Sequence, residues 1–162
     1  MRRARPARAM RRIVTTLAAA GVLAAVSAAH AAPAGTDAAR NEALVTRAMH
    51  ELFDLRDTSA VMRYWGTPYV QHNPLVPNGR EALVRLVAGL PKDFRYEPGM
   101  IVAQGDLVML HGRYTGFGPK PLTTVDIFRI ADGRIVEHWD VMQPDVPAAR
   151  SKNGNPMFSP GE

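Results

Sequence analysis

The hydrophobic pattern of this chain changes its period once, at Pro91. Before that proline, apolar residues recur at helical spacing, and after it they alternate with polar residues as in strands that bury one face. Helices followed by a run of antiparallel strands are typical of an α+β domain in which the helices pack on one face of a curved sheet. The strands are predicted over residues 94–104, 107–115, 122–130 and 135–143.

Three helices are predicted before Pro91. The first spans residues 36–55 and the third residues 80–90. The second is short: it starts at residue 57 or 58 and ends at Gly66, with Trp65 in its last turn. Thr36 and Asn78 are expected to cap the first and third helices, because their side-chain oxygens can accept from free backbone N–H groups. The stripe of the first helix that is expected to face the core consists of Leu44, Ala48, Leu52 and Leu55.

The first 31 residues have the pattern of a secretory signal peptide. A cationic segment (residues 1–12) precedes an apolar run (13–26), and Ala29-His30-Ala31 has the small-x-small form of a cleavage site. The run is shorter than the about 20 apolar residues of a membrane span, so cleavage is favoured over a stable membrane anchor. Arg11-Arg12 weakly resembles a twin-arginine signal, and either export route predicts a periplasmic or secreted protein.

Removal of this segment changes the charge of the chain. Six of the 20 basic residues precede the first acidic residue, Asp37, which leaves 14 basic against 15 acidic residues. A nearly neutral mature chain argues against a nucleic-acid partner. The predicted organisation is a signal peptide (1–31), a linker (32–36), one domain (37–143) and a C-terminal tail (144–162).

Composition and motifs also exclude several kinds of site. The chain has no cysteine, so it has no thiol nucleophile, thiolate-bound metal or disulfide. It has no glycine-rich phosphate-binding motif before a helix, which leaves a nucleotide cofactor without support. His72, His138 and either Asp126 or Asp140 could supply metal ligands, but only His138 and Asp140 are close in sequence, so a site without metal or cofactor is predicted.

The last predicted hairpin gathers polar groups on one face. A three-residue turn over 131–133, with Gly133 in the left-handed conformation, would pair Asp126 with His138 and Phe128 with Val136. Alternation then places a mixed set of side chains together, namely Asp126, Phe128, Val136, His138, Asp140 and Met142. A two-residue turn would instead shift the register by one and remove Asp126 from this set.

His138 and Asp140 are candidates for acid/base chemistry. Residues two apart on a strand project to the same side, with Cα atoms roughly 6.5 to 7 Å apart, so one small molecule could contact both. Burial of a carboxyl group in an apolar wall raises its pKa, as a general acid or base near neutral pH requires. The alternative is a surface strand on which Asp140 forms a salt bridge and His138 is solvated.

Residues 69–74 concentrate polar and aromatic side chains before a turn. Tyr69, Gln71 and His72 could form the rim of a pocket, in which His72 exchanges protons and Gln71 orients a carbonyl. The alternative is a turn whose polar side chains only satisfy backbone groups. His111 lies on the second predicted strand, and its side chain could face a cavity, a dimer contact or solvent.

Three segments carry a resemblance to a known family. They are YVQHNP at 69–74, GREA at 79–82 and DIFRIADGRIVEHWDV at 126–141. Together they resemble the SnoaL-like polyketide cyclase branch of the nuclear-transport-factor-2-like superfamily, over about residues 39–143, and NGNPMF at 153–158 resembles the tail of that branch. The resemblance implies a cone-shaped α+β fold of three helices over a strongly curved antiparallel sheet, with a central pocket and a homodimer formed through the sheet.

The resemblance also implies a metal-free aldol condensation within one substrate molecule. Asp140 would be the general acid/base, His72 and His138 would orient the substrate or stabilise the oxyanion, and Asp126 would hold a histidine in its tautomer. Expected substrate contacts are Trp65, Tyr69, Gln71, Phe128 and Met142. The expected partner is a small apolar or carbonyl-containing molecule.

Two hypotheses of different kinds follow. The first is an exported cyclase, isomerase or dehydratase whose natural substrate differs from the polyketides of the family, because polyketide enzymes are normally cytoplasmic. The second is a non-catalytic exported module of the same fold that binds a small ligand or dimerises.

Overall fold

The computed structural model describes residues 34–161. The predicted signal peptide, residues 1–31, lies outside the described residues. Within the described part of the chain, no helix has both the length and the apolar character needed to cross a bilayer.

The first helix is longer than predicted at its start and changes form at its end. Helix α1 spans Ala34–Met49, and a π-helical segment, His50–Asp54, continues it. There the N–H of Leu55 donates to the oxygen of His50, five residues back instead of four. This wider turn alters the angular spacing of side chains, so Leu52 is buried whereas Leu55, predicted in the core stripe, is 61% exposed.

The second helix ends earlier than predicted, because its last turn is the start of a strand. Helix α2 covers only Ala60–Tyr64, and strand β1, Trp65–Gln71, follows at once. Trp65 is therefore a strand residue. Strand β1 is parallel to the last strand of the chain, and its inward residues Trp65 and Tyr69 are buried.

The third helix, α3, spans Arg80–Ala88, close to its prediction, but Asn78 does not cap it. The residue before the helix is Gly79, with φ +92°, and the side-chain oxygen of Asn78 accepts instead from the backbone N–H of Gln71. Asn78 thus ties the loop to the end of β1. A left-handed φ at residue 79 suits glycine because it lacks Cβ.

The four strands predicted after Pro91 are confirmed, and with β1 they form one sheet. They are β2 (Arg95–Gln104), β3 (Leu107–Thr115), β4 (Leu122–Ala131) and β5 (Arg134–Pro144). The sheet order is β1-β5-β4-β3-β2, antiparallel except between β1 and β5. Helical side chains pack on its inner face, which confirms the α+β class.

The last hairpin corrects the predicted turn. Its loop is the two-residue pair Asp132 and Gly133, with φ of +50° and +67°, between the paired residues Ala131 and Arg134. A two-residue loop alone would have turned Asp126 outward, but a β-bulge at Val136 adds one unpaired residue to β5. The two deviations from the predicted hairpin cancel, and Asp126 remains on the inner face.

The bulge also changes the cross-strand partners. Asp126 lies opposite Asp140, and Phe128 lies opposite His138, instead of the predicted pairs. Ile135 is fully buried, although the prediction placed it on the outer face and Val136 on the inner face. After the bulge, His138, Asp140 and Met142 face inward as predicted.

The C-terminal segment folds back on the outer face of the sheet. Phe158 is 5% exposed, and its ring lies under the guanidinium of Arg113 and beside His111. The tail passes so close to β2 that a Cβ on Gly99 would lie 2.7 Å from the oxygen of Ser159. His111 therefore faces this tail and not the inner face.

Candidate active site

A cavity of about 240 Å³ lies between the helical layer and the inner face of the sheet. This volume is slightly below the roughly 300–1,000 Å³ of pockets for drug-sized ligands, so it suits a small molecule. Its wall is mainly apolar and is formed by Met49, Phe53, Leu75, Val76, Leu83, Leu86, Phe117, Leu122, Phe128 and Met142, together with Trp65 and Tyr69.

The polar part of the wall comes from β4, β5 and the end of β1. Asp126 and His138 are buried, and Asp140 is half-buried. Alternation along β5 brings His138 and Asp140 to the same face, and the cross-strand pairing sets Asp126 opposite Asp140. All three line the cavity.

Gln71 fixes the orientation of the His138 ring. Its Oε1 accepts from the backbone N–H of Asn73 at 3.0 Å, so this oxygen must also be the atom that faces His138 Nδ1 at 2.8 Å. Two acceptors cannot share a hydrogen bond without a proton, so Nδ1 of His138 carries a hydrogen and donates it. The other ring nitrogen, Nε2, lies 3.2 Å from Oδ1 of Asp126.

This geometry makes Asp126 and His138 a pair that shares one proton. Burial raises the pKa of Asp126, and the hydrogen bond from His138 partly opposes that rise. The proton between Oδ1 and Nε2 therefore resides either on the carboxyl group or on the imidazole, and the pair has no net charge in either case. The hydroxyl of Tyr114 donates to the second oxygen of Asp126 at 3.2 Å, and burial keeps the pKa of this phenol well above its usual value.

Asp140 has a different environment. Its Oδ2 accepts from the side-chain amide of Asn73 at 2.7 Å, whereas Oδ1 has no donor among residues 34–161. The amide oxygen of Asn73 in turn accepts from the N–H of Leu75, so the amide is held in one orientation. One carboxylate oxygen is thus fixed, and the other is available to a ligand.

The structure places His72 away from these groups. It follows Gln71 on the chain, so it points to the outer face, where its Nε2 contacts Glu137 at 2.8 Å and its ring stacks on Trp139 with centroids 4.6 Å apart. That hydrogen bond lowers the pKa of Glu137, and a hydrogen bond from Arg129 lowers it further by a smaller amount. His72 does not line the cavity, which corrects the expectation that it joins His138 there.

The other predicted contact residues lie together. Trp65, Tyr69, Gln71, Phe128 and Met142 all line the cavity. The sequence-based reasoning missed Asn73 and Tyr114, as well as the helical residues of the wall. Strand alternation with the buried Leu110 could have identified Tyr114, but the contact of Asn73 with Asp140 spans 67 residues and has no local signal.

Asp126, His138 and Asp140 could also hold a cation. Each offers one ligand atom, and these atoms lie within 4.8 Å of one another. A metal ion would have to displace the proton shared by Asp126 and His138, because a coordinating nitrogen or carboxylate must be deprotonated. His72 could not complete such a set from the outer face.

Comparisons with known proteins agree with this architecture. The family model described as the SnoaL-like domain matches residues 46–138. A comparison with proteins of curated function gives no match.

Solved structures share the nuclear-transport-factor-2-like fold. A protein from Kribbella flavida DSM 17836, provisionally named a ketosteroid isomerase, is 18% identical, with a TM-score of 0.58 over 66% of this chain and 80% of that chain. A SnoaL-like polyketide cyclase from Jannaschia sp. CCS1, also provisionally named, is 20% identical, with a TM-score of 0.56 over 66% and 88%. An NTF2-like protein of unknown function from Mesorhizobium loti is 24% identical, with a TM-score of 0.56 over 65% and 93%.

Proposed function

The chain belongs to the SnoaL-like domain family, and on that premise we propose that it is an exported enzyme that performs metal-free acid/base chemistry on a small carbonyl compound. The observation that carries this proposal is the free carboxylate oxygen of Asp140 in a mainly apolar cavity, beside a proton-sharing pair. The reaction is of the aldol-condensation (cyclase) or isomerase type.

Asp140 acts as the general base. Its Oδ1 removes a proton from the carbon next to the substrate carbonyl, and the electron pair of that C–H bond moves to give an enolate. The proton held on Asp140 can then return to another atom of the substrate, which makes the same residue the general acid. Positioned proton transfer of this kind contributes typically about 10²- to 10⁴-fold to a rate.

The enolate oxygen needs hydrogen-bond donors in the same cavity. Because Oε1 of Gln71 faces His138 and Asn73, its Nε2 faces the hydroxyl of Tyr69 at 3.5 Å. Burial raises the pKa of Tyr69, so its hydroxyl keeps the proton that it would donate. Tyr69 and Gln71 supply these donors, and the Asp126–His138 pair holds the Gln71 amide in place.

The test is exchange of deuterium into small enolisable ketones in D₂O, followed by NMR. The wild-type mature chain should accelerate the exchange for at least one ketone, and Asp140→Asn should lose the acceleration. Asp106→Asn is a matched control, because Asp106 pairs with Arg129 outside the cavity. Retained acceleration in Asp140→Asn would contradict the proposal, and tight ligand binding without any exchange by the wild type would favour the non-catalytic binding module.

Export rests on residues 1–31. The cationic segment, apolar run and small-x-small site together support cleavage after Ala31. N-terminal sequencing of the protein from the periplasm or medium should begin at Ala32. An intact Met1 in the cytoplasmic fraction would contradict export.

The outer face of the sheet supports a homodimer. Val102, Met109, Val125 and Val141 are exposed there, and charged pairs flank them, such as Arg113 with Glu97 and Arg129 with Glu137. An apolar centre with a charged rim is the usual composition of an interface. Light scattering should give twice the mass of the mature chain, and Val141→Glu should give the monomer mass.

A further inference from the structure

The charges that face the cavity are unbalanced. Two carboxyl groups and one imidazole line it, and no lysine or arginine does so within residues 34–161. Several arginines near the sheet have partners outside the cavity, for example Arg113 with Glu97, Arg129 with Glu137, and Arg80 with the backbone oxygen of Trp65. In the described wall, His138 is the only group that can carry a positive charge, and it is paired with Asp126.

The surplus charge is located on Asp140. The pair of Asp126 and His138 shares one proton and is neutral as a unit. Among the described residues, Asp140 has only the uncharged amide of Asn73 as a partner, so it contributes one uncompensated negative charge. In a wall of low polarity that charge is poorly screened, and its repulsion of a second anion is stronger than it would be in water.

We propose that this cavity rejects anionic ligands, and that its substrates are therefore carbonyl compounds without a carboxylate or phosphate group near the reacting carbon. The statement about substrates rests on the proposed function, whereas the rejection of anionic ligands concerns binding alone. Asp140 imposes it: the carboxylate that takes the proton also excludes ligands that already carry a negative charge. Such selection works by unfavourable contacts with the wrong ligand.

An isosteric pair of ligands measures this selection directly. Benzamide and benzoate share a ring that fits the apolar wall and differ in the charge of the head group. Trp65 lines the cavity and its fluorescence can report occupancy, whereas Trp139 on the outer face gives a constant background. Titrations at pH 7.5 give the two dissociation constants for each variant.

The wild-type mature chain should bind benzoate at least tenfold more weakly than benzamide. In Asp140→Asn the ratio should fall below threefold, because the change removes one charge and almost no volume. Asp106→Asn also removes one negative charge from the protein, but outside the cavity, and should keep the wild-type ratio.

Three results would overturn the inference: a wild-type ratio below tenfold, a ratio of threefold or more in Asp140→Asn, or no binding of benzamide by the wild type. If Asp140→Asn does not fold by circular dichroism, Asp140→Ser takes its place with the same thresholds. If neither variant folds, the wild-type ratio alone decides. Deuterium exchange is scored separately, so charge selection without catalysis would refute the proposed function and leave this inference standing.

Discussion

Asp126 and Asp140 lie directly opposite each other on β4 and β5, and their oxygens have different partners. Asp126 contacts His138 and the Tyr114 hydroxyl, whereas Asp140 contacts the side-chain amide of Asn73. The charge of Asp140 is one of the causes that raise the pKa of Asp126, after burial. Two neighbouring carboxyl groups thus have different environments, which fits the proposed division between a proton-sharing pair at Asp126 and a general base at Asp140.

Asp140→Asn should impair deuterium exchange, whereas His72→Ala should leave it almost unchanged. We expect Asp140→Asn to lower the rate at least about 100-fold, since it removes the proposed base. His72→Ala should stay within about threefold of the wild type, because the imidazole lies on the outer face with Glu137 and Trp139. A large loss in His72→Ala would show that the outer face takes part in the reaction.

His138 should be protonated on Nδ1. Nitrogen-15 NMR of the imidazole should show a protonated Nδ1 in the wild type, since Gln71 Oε1 accepts from it. Gln71→Leu removes this acceptor and should cost about 1–3 kcal/mol in the free energy of unfolding, because a buried N–H loses its partner. A signal from Nε2–H alone in the wild type would contradict the assigned proton.

Asp126→Asn should become more stable relative to the wild type as pH rises. The pKa of Asp126 is raised above its ordinary 3.8, so the folded state binds this proton more tightly than the unfolded state. The corresponding stability is fully present below pH 3.8 and is lost as pH rises through the higher folded-state pKa. The amide that replaces this carboxyl group does not titrate. The free energy of unfolding in urea, taken as variant minus wild type, should therefore increase from about pH 4 upward. A gap independent of pH would refute the raised pKa.

Gly99→Ala should destabilise the docked C-terminal segment. The new Cβ would lie 2.7 Å from the Ser159 oxygen and 2.9 Å from the His111 oxygen, both backbone atoms. We expect a loss of about 1–3 kcal/mol in urea unfolding, typical of overpacking. Gly118→Ala, with no atom within 4 Å of the added Cβ, is the control and should change stability by less than about 0.5 kcal/mol. Equal effects of the two substitutions would mean that neither the tail nor β3 approaches Gly99 this closely in solution.

Local patterns predicted most of the fold, since alternation and helical spacing are properties of neighbouring residues. They failed where distant contacts decide. Trp65 has helical spacing from Val61, but pairing of β1 with β5, about 70 residues later, makes it a strand residue. Leu55 points outward for a different reason, because the π-helical segment departs from the regular helix that hydrophobic spacing assumes.

The candidate site was predictable in part for the same reason. His138 and Asp140 share a face through the two-residue period of one strand, which the sequence displays. The role of Asn73 depends on a contact with β5 across 67 residues, and the position of His72 depends on recognising β1 as a strand. Asp126 was placed correctly although its predicted partner was wrong, because the two-residue loop and the bulge at Val136 compensate.

The bulge at Val136 sets a rule for how the last hairpin can vary. Asp126 lies opposite Asp140 because a two-residue loop and one unpaired residue together separate them, and the same loop with Val136 paired would set Asp126 opposite Trp139. A deletion of Val136 would remove the unpaired residue itself, so Glu137 would follow Ile135 in regular alternation and Asp126 would still lie opposite Asp140. Insertion of one residue between His138 and Trp139, without a second bulge, would instead set Asp140 opposite the outward Val125 and point its carboxyl group out of the cavity. The hairpin should therefore tolerate a change in length at position 136 but not beyond it.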